Sequence, residues 1–261
     1  MSDTTSVVLG SGRLYAAKAR DISNVFDLTA EDKAKLVDLG YIKANAKLVS
    51  KAKVVTATAA NAGTVATFKG DPDVSFSVGI ISWNMENVAE FLTGSDYIET
   101  NREKKFTYSA NDNSPAVFLR FVYSNDAVGK VVTIDMLKCQ FSGDLIFDFN
   151  TKDPVSFDYN FTLMSRTNGA KNSYYTVTEK ACLSSIAVTT PPTTTTYKTG
   201  TAFNSAGMVI TATYSDETTA VVTGYTVMPS TLSTRDKTVT IVYTEDDIAK
   251  SITQAVTVTA A

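Results

Sequence analysis

The sequence predicts a mainly β protein made of two domains, and three observations support this. Apolar and polar residues alternate strictly over Ser156 to Leu163, which is typical of a strand with one buried face. Further short apolar segments recur along the chain between Gly, Asn, Asp and Pro clusters. The composition then changes near Lys180, since 22 threonines lie between Ala181 and Ala261. We therefore expect a sandwich- or barrel-forming β domain with one or two short helices over residues 1–180, and a smaller β-sandwich over residues 181–261.

In the first domain, the alternating segment places four large side chains on one side: Phe157, Tyr159, Phe161 and Leu163. Weaker strand signals follow the same logic, at Ser75 to Ile81, Lys104 to Ser109, Ala116 to Tyr123, Val131 to Phe141 and Asp144 to Phe149. Ser142-Gly143-Asp144 separates two apolar segments closely enough to predict a hairpin turn.

Two segments predict helices. In Asn84 to Leu92, Asn84 can cap the first turn, apolar residues recur at helical spacing, and Gly94 can end the helix. In Thr29 to Leu39, Thr29 is followed three residues later by an aspartate, which forms a partial capping box. This second helix is short enough to need packing support.

The stretch from Tyr41 to Thr58 alternates lysines with small apolar residues, which predicts a strand whose apolar side is too small to fill a core. A small-residue face suits close contact with another surface, whereas a lysine-rich edge strand also discourages aggregation. Both interpretations stay open. The candidate contacts between subunits or rings are Tyr41, Lys43, Lys47, Lys51 and Lys53.

Composition argues against several functions. The chain contains no histidine, the side chain most used as general base, metal ligand or pH switch. Its net charge of −3 does not suit tight binding of nucleic acid or anionic lipid. Cys139 and Cys182 lack a metal-binding spacing and are interpreted as reduced packing residues. The N-terminus has no secretion signal pattern and no segment is apolar enough to cross a membrane, so we expect the chain to stay in the cytoplasm until an assembly carries it out.

No motif supports catalysis. Gly10-Ser11-Gly12 lacks the third glycine and the long helix of a phosphate-binding loop. Glu86 and Glu90 share a helix face, which indicates a solvated surface more than an acid and base pair. We expect no catalytic residue, no metal and no cofactor. The candidate core anchors are Trp83, Phe91, Phe157, Tyr159 and Phe161, because buried aromatic residues dominate core packing.

The second domain resembles a known family. The segments Tyr197 to Phe203, Gly207 to Asp216 and Thr238 to Tyr243 resemble the bacterial immunoglobulin-like (group 3) domains over nearly the whole of residues 181–261. Glu217 and Asp236 stand at turn positions where that family often has glycine. The resemblance implies an immunoglobulin-like β-sandwich of the kind used in display or adhesion.

The first domain resembles the major tail (tail tube) proteins of long-tailed bacteriophages over about residues 7–178. The resemblance rests on the order of Gly12 to Ala17, Asp38 to Ile42, the strand Val74 to Ile81 running into Asn84 to Gly94, and the later segments Val131 to Asp135, the Phe141 to Phe149 hairpin and the Phe157 to Arg166 strand. Several tail tube proteins also carry a C-terminal immunoglobulin-like domain.

The resemblance implies a virion protein, assembled in the host cytoplasm, whose partners are copies of itself in stacked hexameric rings. It further implies contacts with the tape measure protein and the tail-end proteins, and genomic DNA passing through the lumen without specific binding. The alternative is a binding module whose immunoglobulin-like domain recognises a cell-surface glycan while the first domain anchors it. No membrane partner is expected.

Overall fold

The computed structural model describes residues 12–59, 63–80, 84–109, 111–125, 129–146, 157–246 and 248–260. The chain forms two compact units. The barrel unit comprises Ser11–Val122 and Thr133–Thr178, and the C-terminal unit includes Tyr123–Val132 and Glu179–Ala261. The protein is mainly β, as predicted.

Eleven strands are described up to residue 181. They are β1 (Gly12–Lys18), β2 (Val37–Ala59), β3 (Gly63–Ile80), β4 (Asp96–Glu99), β5 (Lys104–Thr107), β6 (Val117–Asn125), β7 (Lys130–Phe141), β8 (Phe157–Leu163), β9 (Arg166–Asn168), β10 (Lys171–Ser173) and β11 (Tyr175–Ala181). The helices are α1 (Ala30–Ala34) and α2 (Met85–Asn87), and α2 continues into a π-helical segment, Val88–Thr93. The chain is therefore dominated by antiparallel pairing between neighbouring strands.

The main sheet closes on itself within a single chain. Its strand order is β11-β7-β6-β1-β2-β3-β8, and β8 also pairs with β7, which makes a barrel of the six strands from β7 to β8. Its core includes five side chains with 0% exposure: Leu14, Ile80, Phe118, Leu137 and Phe161. Closure of the sheet pairs strand edges with one another inside the chain. Among the described strands, the edges that stay open in this sheet belong to β11 and to the long hairpin β2–β3.

The prediction of a helix over Thr29 to Leu39 is correct at its start and wrong at its end. Thr29 caps α1 and exchanges hydrogen bonds with Asp32, which completes a capping box. The helix ends at Ala34, and Val37 begins β2, where it pairs with Ala16. A single turn of helix is worth little by itself, so pairing with β1 determines the conformation of the residues that follow.

Asp32 is fully buried and its carboxylate is held by four donors. It accepts hydrogen bonds from the Ser23 amide (2.8 Å), the Ser23 hydroxyl (2.7 Å), the Thr29 hydroxyl (3.0 Å) and the Thr29 amide (3.3 Å). The Ser23 amide is the largest of the causes that hold the pKa of Asp32 well below its usual value. The ionised form is therefore favoured by folding.

We expect Asp32→Asn to lower the midpoint of thermal unfolding at pH 7. A carboxylate with a depressed folded pKa stabilises the protein above its ordinary pKa, and this stabilisation is lost as the pH falls below about 4. The difference between the wild type and the variant should therefore shrink progressively in that range. Glu31→Gln, an exposed change in the same helical turn, is the control. A difference that stays constant from pH 7 to pH 2 would contradict this assignment.

The helix predicted over Asn84 to Leu92 is confirmed with its caps. The Asn84 side chain accepts hydrogen bonds from the Glu86 and Asn87 amides, at 3.0 and 3.3 Å. Gly94 ends the segment with φ of 69°, and an added Cβ there would lie 2.4 Å from the Asn113 carbonyl oxygen. Glycine is therefore required at this position for both its conformation and its size.

The strand predicted over Asp144 to Phe149 is not found at residues 144–146, and residues 147–149 lie outside the described residues. The predicted hairpin turn at Ser142-Gly143-Asp144 is wrong for the same reason. The Ser142 amide donates to the Asn160 carbonyl at 2.8 Å, so Ser142 extends the pairing of β7 with β8 and the chain does not reverse at residues 142–144. Tertiary pairing with β8 prevails over the local turn signal.

The C-terminal unit contains eight strands beyond β11: β12 (Leu183–Thr190), β13 (Thr196–Lys198), β14 (Val209–Tyr214), β15 (Thr219–Val222), β16 (Thr226–Met228), β17 (Thr238–Glu245), β18 (Ile248–Ala255) and β19 (Thr257–Thr259). They form the sheets β12-β14-β15 and β16-β17-β18 and the parallel pair β13-β19. The sequence predicts five short β segments here, and each overlaps a strand: Ile186 to Thr189, Met208 to Tyr214, Thr219 to Val222, Thr238 to Val242 and Ala255 to Val258. Strands β13 and β16 were not predicted, and β18 overlaps a predicted segment only at Ala255.

Turn chemistry in this unit departs from the usual preferences at one predicted position. Glu217 has φ of 67°, the left-handed conformation that favours glycine. A glutamate therefore occupies a backbone conformation that glycine adopts more readily. Both cysteines are free and buried, as predicted, one in each unit.

Candidate assembly surface

The residues predicted to contact other subunits all lie on β2. Lys47, Lys51 and Lys53 are exposed, while the side chains of Tyr41 and Lys43 lie outside the described residues. β2 pairs with β1 only over Val37 to Tyr41, and with β3 over most of its length. The predicted lysines therefore belong to a long two-stranded hairpin.

The outer part of this hairpin, residues 51–59 and 63–70, is here called the arm. β3 pairs with β8 only from Ser75 onward, so in the described strand pairing no third strand extends either edge of the arm. At about 3.3 Å per residue, the nine residues of β2 in the arm span roughly 30 Å. Within the part of the chain that the structure describes, the arm is thus a ribbon whose two edges have no further strand partner.

Both faces of the arm are exposed. Val55 is paired with Phe68 on one face, and their exposed fractions are 51% and 60%. On the other face Val54, 58% exposed, is paired with Lys69. An isolated two-stranded hairpin is marginally stable in water. Large apolar side chains at its centre do not stabilise it while they remain exposed to water, because apolar side chains contribute free energy only when they are buried. The arm therefore carries apolar surface that the barrel unit does not cover.

The arm is also the basic part of an acidic chain. Residues 51–70 contain Lys51, Lys53 and Lys69 and no carboxylate, whereas the whole chain has a net charge of −3. The two strands shift register at the base of the arm, where Asp71-Pro72-Asp73 follows. Proline cannot donate to a strand partner and is found at such irregular positions or at edges. The positive charge of the arm favours contact with an acidic surface.

The strand signal of the returning half of the arm was missed. Thr64-Val65-Ala66-Thr67-Phe68 is rich in β-branched and aromatic residues, which is the signal that could have identified it. Phe68 is the largest exposed apolar side chain of the arm and pairs directly with β2. Lys51 and Lys53 thus lie on the same arm as an apolar centre that the lysine pattern does not reveal.

Three of the residues considered as core anchors are buried. Phe91, Tyr159 and Phe161 have exposed fractions of 3%, 4% and 0%. Trp83 and the side chain of Phe157 lie outside the described residues. Phe141 packs against both Tyr159 and Phe161, since its ring centroid lies 6.5 Å from that of Tyr159 and 6.0 Å from that of Phe161. This aromatic cluster lies where β7 pairs with β8.

One of the two carboxylates considered on the short helix, that of Glu90, has a structural partner. Glu90 forms an ion pair with Lys18 at 2.8 Å, and both side chains border an open groove of about 490 Å³ with Glu86 and Tyr97. Among the described residues, no group of three or more acidic or cysteine side chains is placed to hold a metal ion. In that same part of the chain, no helix has the length and apolar character needed to cross a membrane.

Comparison with known proteins gives few matches. No protein family model matches the chain, and no curated protein matches it. Among solved structures, a chain from the six-fold symmetrised cryo-EM structure of the anti-feeding prophage baseplate is similar, at 10% identity and a TM-score of 0.30. The similarity covers 67% of this chain and 97% of that chain. At this TM-score the similarity supports no conclusion about this chain.

Proposed function

We propose that this chain is the structural subunit of a phage tail tube, which functions by assembly and not by catalysis. The observation that carries the proposal is the arm, a basic two-stranded ribbon with exposed apolar residues on both faces and with edges that no other described strand pairs with. Such a ribbon gains stability when a second surface covers it. The occupant that we propose is another copy of the same chain, since the net charge of −3 complements the lysines of the arm.

The ordered motifs of residues 7–178 that resemble tail tube proteins support the same proposal. Under it, copies form hexameric rings that stack into a tube, and Lys47, Lys51 and Lys53 face the adjoining copy. The tape measure protein and the tail-end proteins are the further partners. An acidic chain suits a conduit through which DNA slides without binding, because few phosphates are neutralised along its wall. The chain then resides in the virion.

The proposal predicts that the purified chain forms rings or tubes. Negative-stain electron microscopy of the full chain should show annular or tubular particles, and sedimentation velocity should show species larger than a monomer that increase with protein concentration. Because the proposed contact joins charged and apolar groups, moderate salt should weaken it without abolishing it. A protein that stays monomeric at the highest soluble concentration would contradict the proposal.

A further inference from the structure

The turn between β6 and β7 contributes to the C-terminal unit, although it lies about 50 residues before that unit's main segment in the sequence. Tyr123–Val132 belongs to this unit together with Glu179–Ala261. The described residues of the turn make two groups of hydrogen bonds within the unit. Each group joins segments that are distant in sequence.

The first group is centred on the carbonyl oxygen of Gly129. It accepts hydrogen bonds from the Cys182 amide, at 3.2 Å, and from the Ser215 hydroxyl. The Cys182 amide is also 3.1 Å from the Ser215 hydroxyl oxygen, and the Ser215 amide donates to the Cys182 carbonyl at 2.9 Å. The turn, the start of β12 and the end of β14 are thereby joined at one point.

The second group lies at the turn between β17 and β18. The Ser124 hydroxyl donates to the Asp246 carbonyl at 2.7 Å, and Lys180 forms ion pairs with the carboxylates of Asp246 and Glu245. The Tyr214 hydroxyl donates to Glu245 at 2.9 Å. Burial, followed by the hydrogen bond to Glu245, raises the pKa of Tyr214 to about 12, so this phenol remains a donor at neutral pH.

Gly129 is sterically required where it stands. Its φ is 73°, and a Cβ added there would lie 3.0 Å from the Cβ of Ser215. An alanine would therefore be strained in its backbone and would push against the residue that it must contact. Close approach of this turn to Ser215 depends on the missing side chain.

We infer that the described residues of this segment, 123–125 and 129–132, form a clasp that completes the C-terminal unit and holds the start of β12 in place. The unit is then built from two separate segments of the chain, and residues 179–261 by themselves lack one of its parts. Opening of the clasp releases the backbone of Cys182, whose side chain is only 2% exposed and whose thiol is free. This inference is independent of whether the chain assembles.

Site-resolved thiol labelling of the full chain tests the clasp. The native protein is treated with N-ethylmaleimide for increasing times, and modification at each cysteine is measured by mass spectrometry after digestion. Cys139, in the barrel unit, is the internal control, because it is fully buried and burial raises the pKa of its thiol. The variants are Gly129→Ala and Ser215→Ala. The matched control is Gly169→Ala, since Gly169 also has a positive φ but no atom lies within 4 Å of its added Cβ.

We expect Cys182 to be labelled roughly tenfold faster in both clasp variants, because Ser215→Ala removes a hydroxyl that bonds across the site and Gly129→Ala strains the backbone that carries the accepting carbonyl. Labelling of Cys139 should be unchanged in them, and the control should leave both thiols at their wild-type rates. Labelling of Cys182 at the wild-type rate in both clasp variants would overturn the inference. Equal acceleration at both cysteines in both variants would overturn it as well, because the effect would then not belong to the C-terminal unit.

Discussion

Val55→Asp is expected to abolish assembly while leaving the isolated subunit folded. Val55 is 51% exposed at the centre of the arm, so in the monomer an aspartate there meets water and costs no more than about 1 kcal/mol in strand preference. If another copy covers the arm, the same carboxylate becomes buried without a partner, at a cost of about 3 kcal/mol or more per contact. The protein concentration needed for assembly should then rise more than about a hundredfold.

The control for this prediction is Val221→Asp. Val221 lies on β15 of the C-terminal unit and is 68% exposed, so the substitution introduces the same charge at a similarly exposed valine in a strand. Sedimentation velocity and electron microscopy measure assembly, and circular dichroism on heating measures folding. The assignment of the arm would be contradicted if Val55→Asp assembled at wild-type concentration, or if Val221→Asp blocked assembly equally.

The arm also shows where sequence patterns stop being informative. Alternation in Tyr41 to Thr58 predicts a strand correctly, and β2 covers Val37–Ala59. That pattern cannot show that β1 and β8 pair only with the inner ends of the hairpin, because pairing between distant strands leaves no local signal. The exposure of both faces of the arm likewise depends on the tertiary structure and not on the local pattern. The two open interpretations of the lysines could therefore not be separated from the sequence.

The helix caps could be predicted from the sequence, because their hydrogen bonds join residues that are close together in the chain. Thr29 and Asn84 cap their helices through contacts no more than three residues away, and both were predicted. The end of α1 was mispredicted because pairing with β1 determines it. The clasp is the least predictable of these contacts from the sequence, because Gly129 and Ser215 are 86 residues apart in the chain. No periodicity or spacing indicates such a contact.

Closure of the barrel depends on the aromatic residues that the alternating segment Ser156 to Leu163 predicted. Phe161 is 0% exposed and stands opposite Phe141 in the β7–β8 pairing, and its ring also packs against that of Tyr159 at 6.4 Å. β8 pairs with β3 on its other side, where Phe161 faces Phe76. The Phe161 side chain therefore packs where β8 pairs with both of its neighbours, β3 and β7.

Phe161→Ala is expected to lower the free energy of unfolding by about 3–5 kcal/mol, because it removes buried apolar surface and leaves a cavity in the core of the barrel. Since β8 is hydrogen-bonded to both β3 and β7, it cannot shift freely to fill that cavity. Denaturant titration followed by circular dichroism measures this loss. Asp158→Ala, on the exposed face of the same strand, should change stability by no more than about 0.5 kcal/mol. Since the closing strand holds β3 at the base of the arm, Phe161→Ala should also weaken assembly, but only in proportion to unfolding. A variant with full stability would show that β8 is not needed to close the barrel.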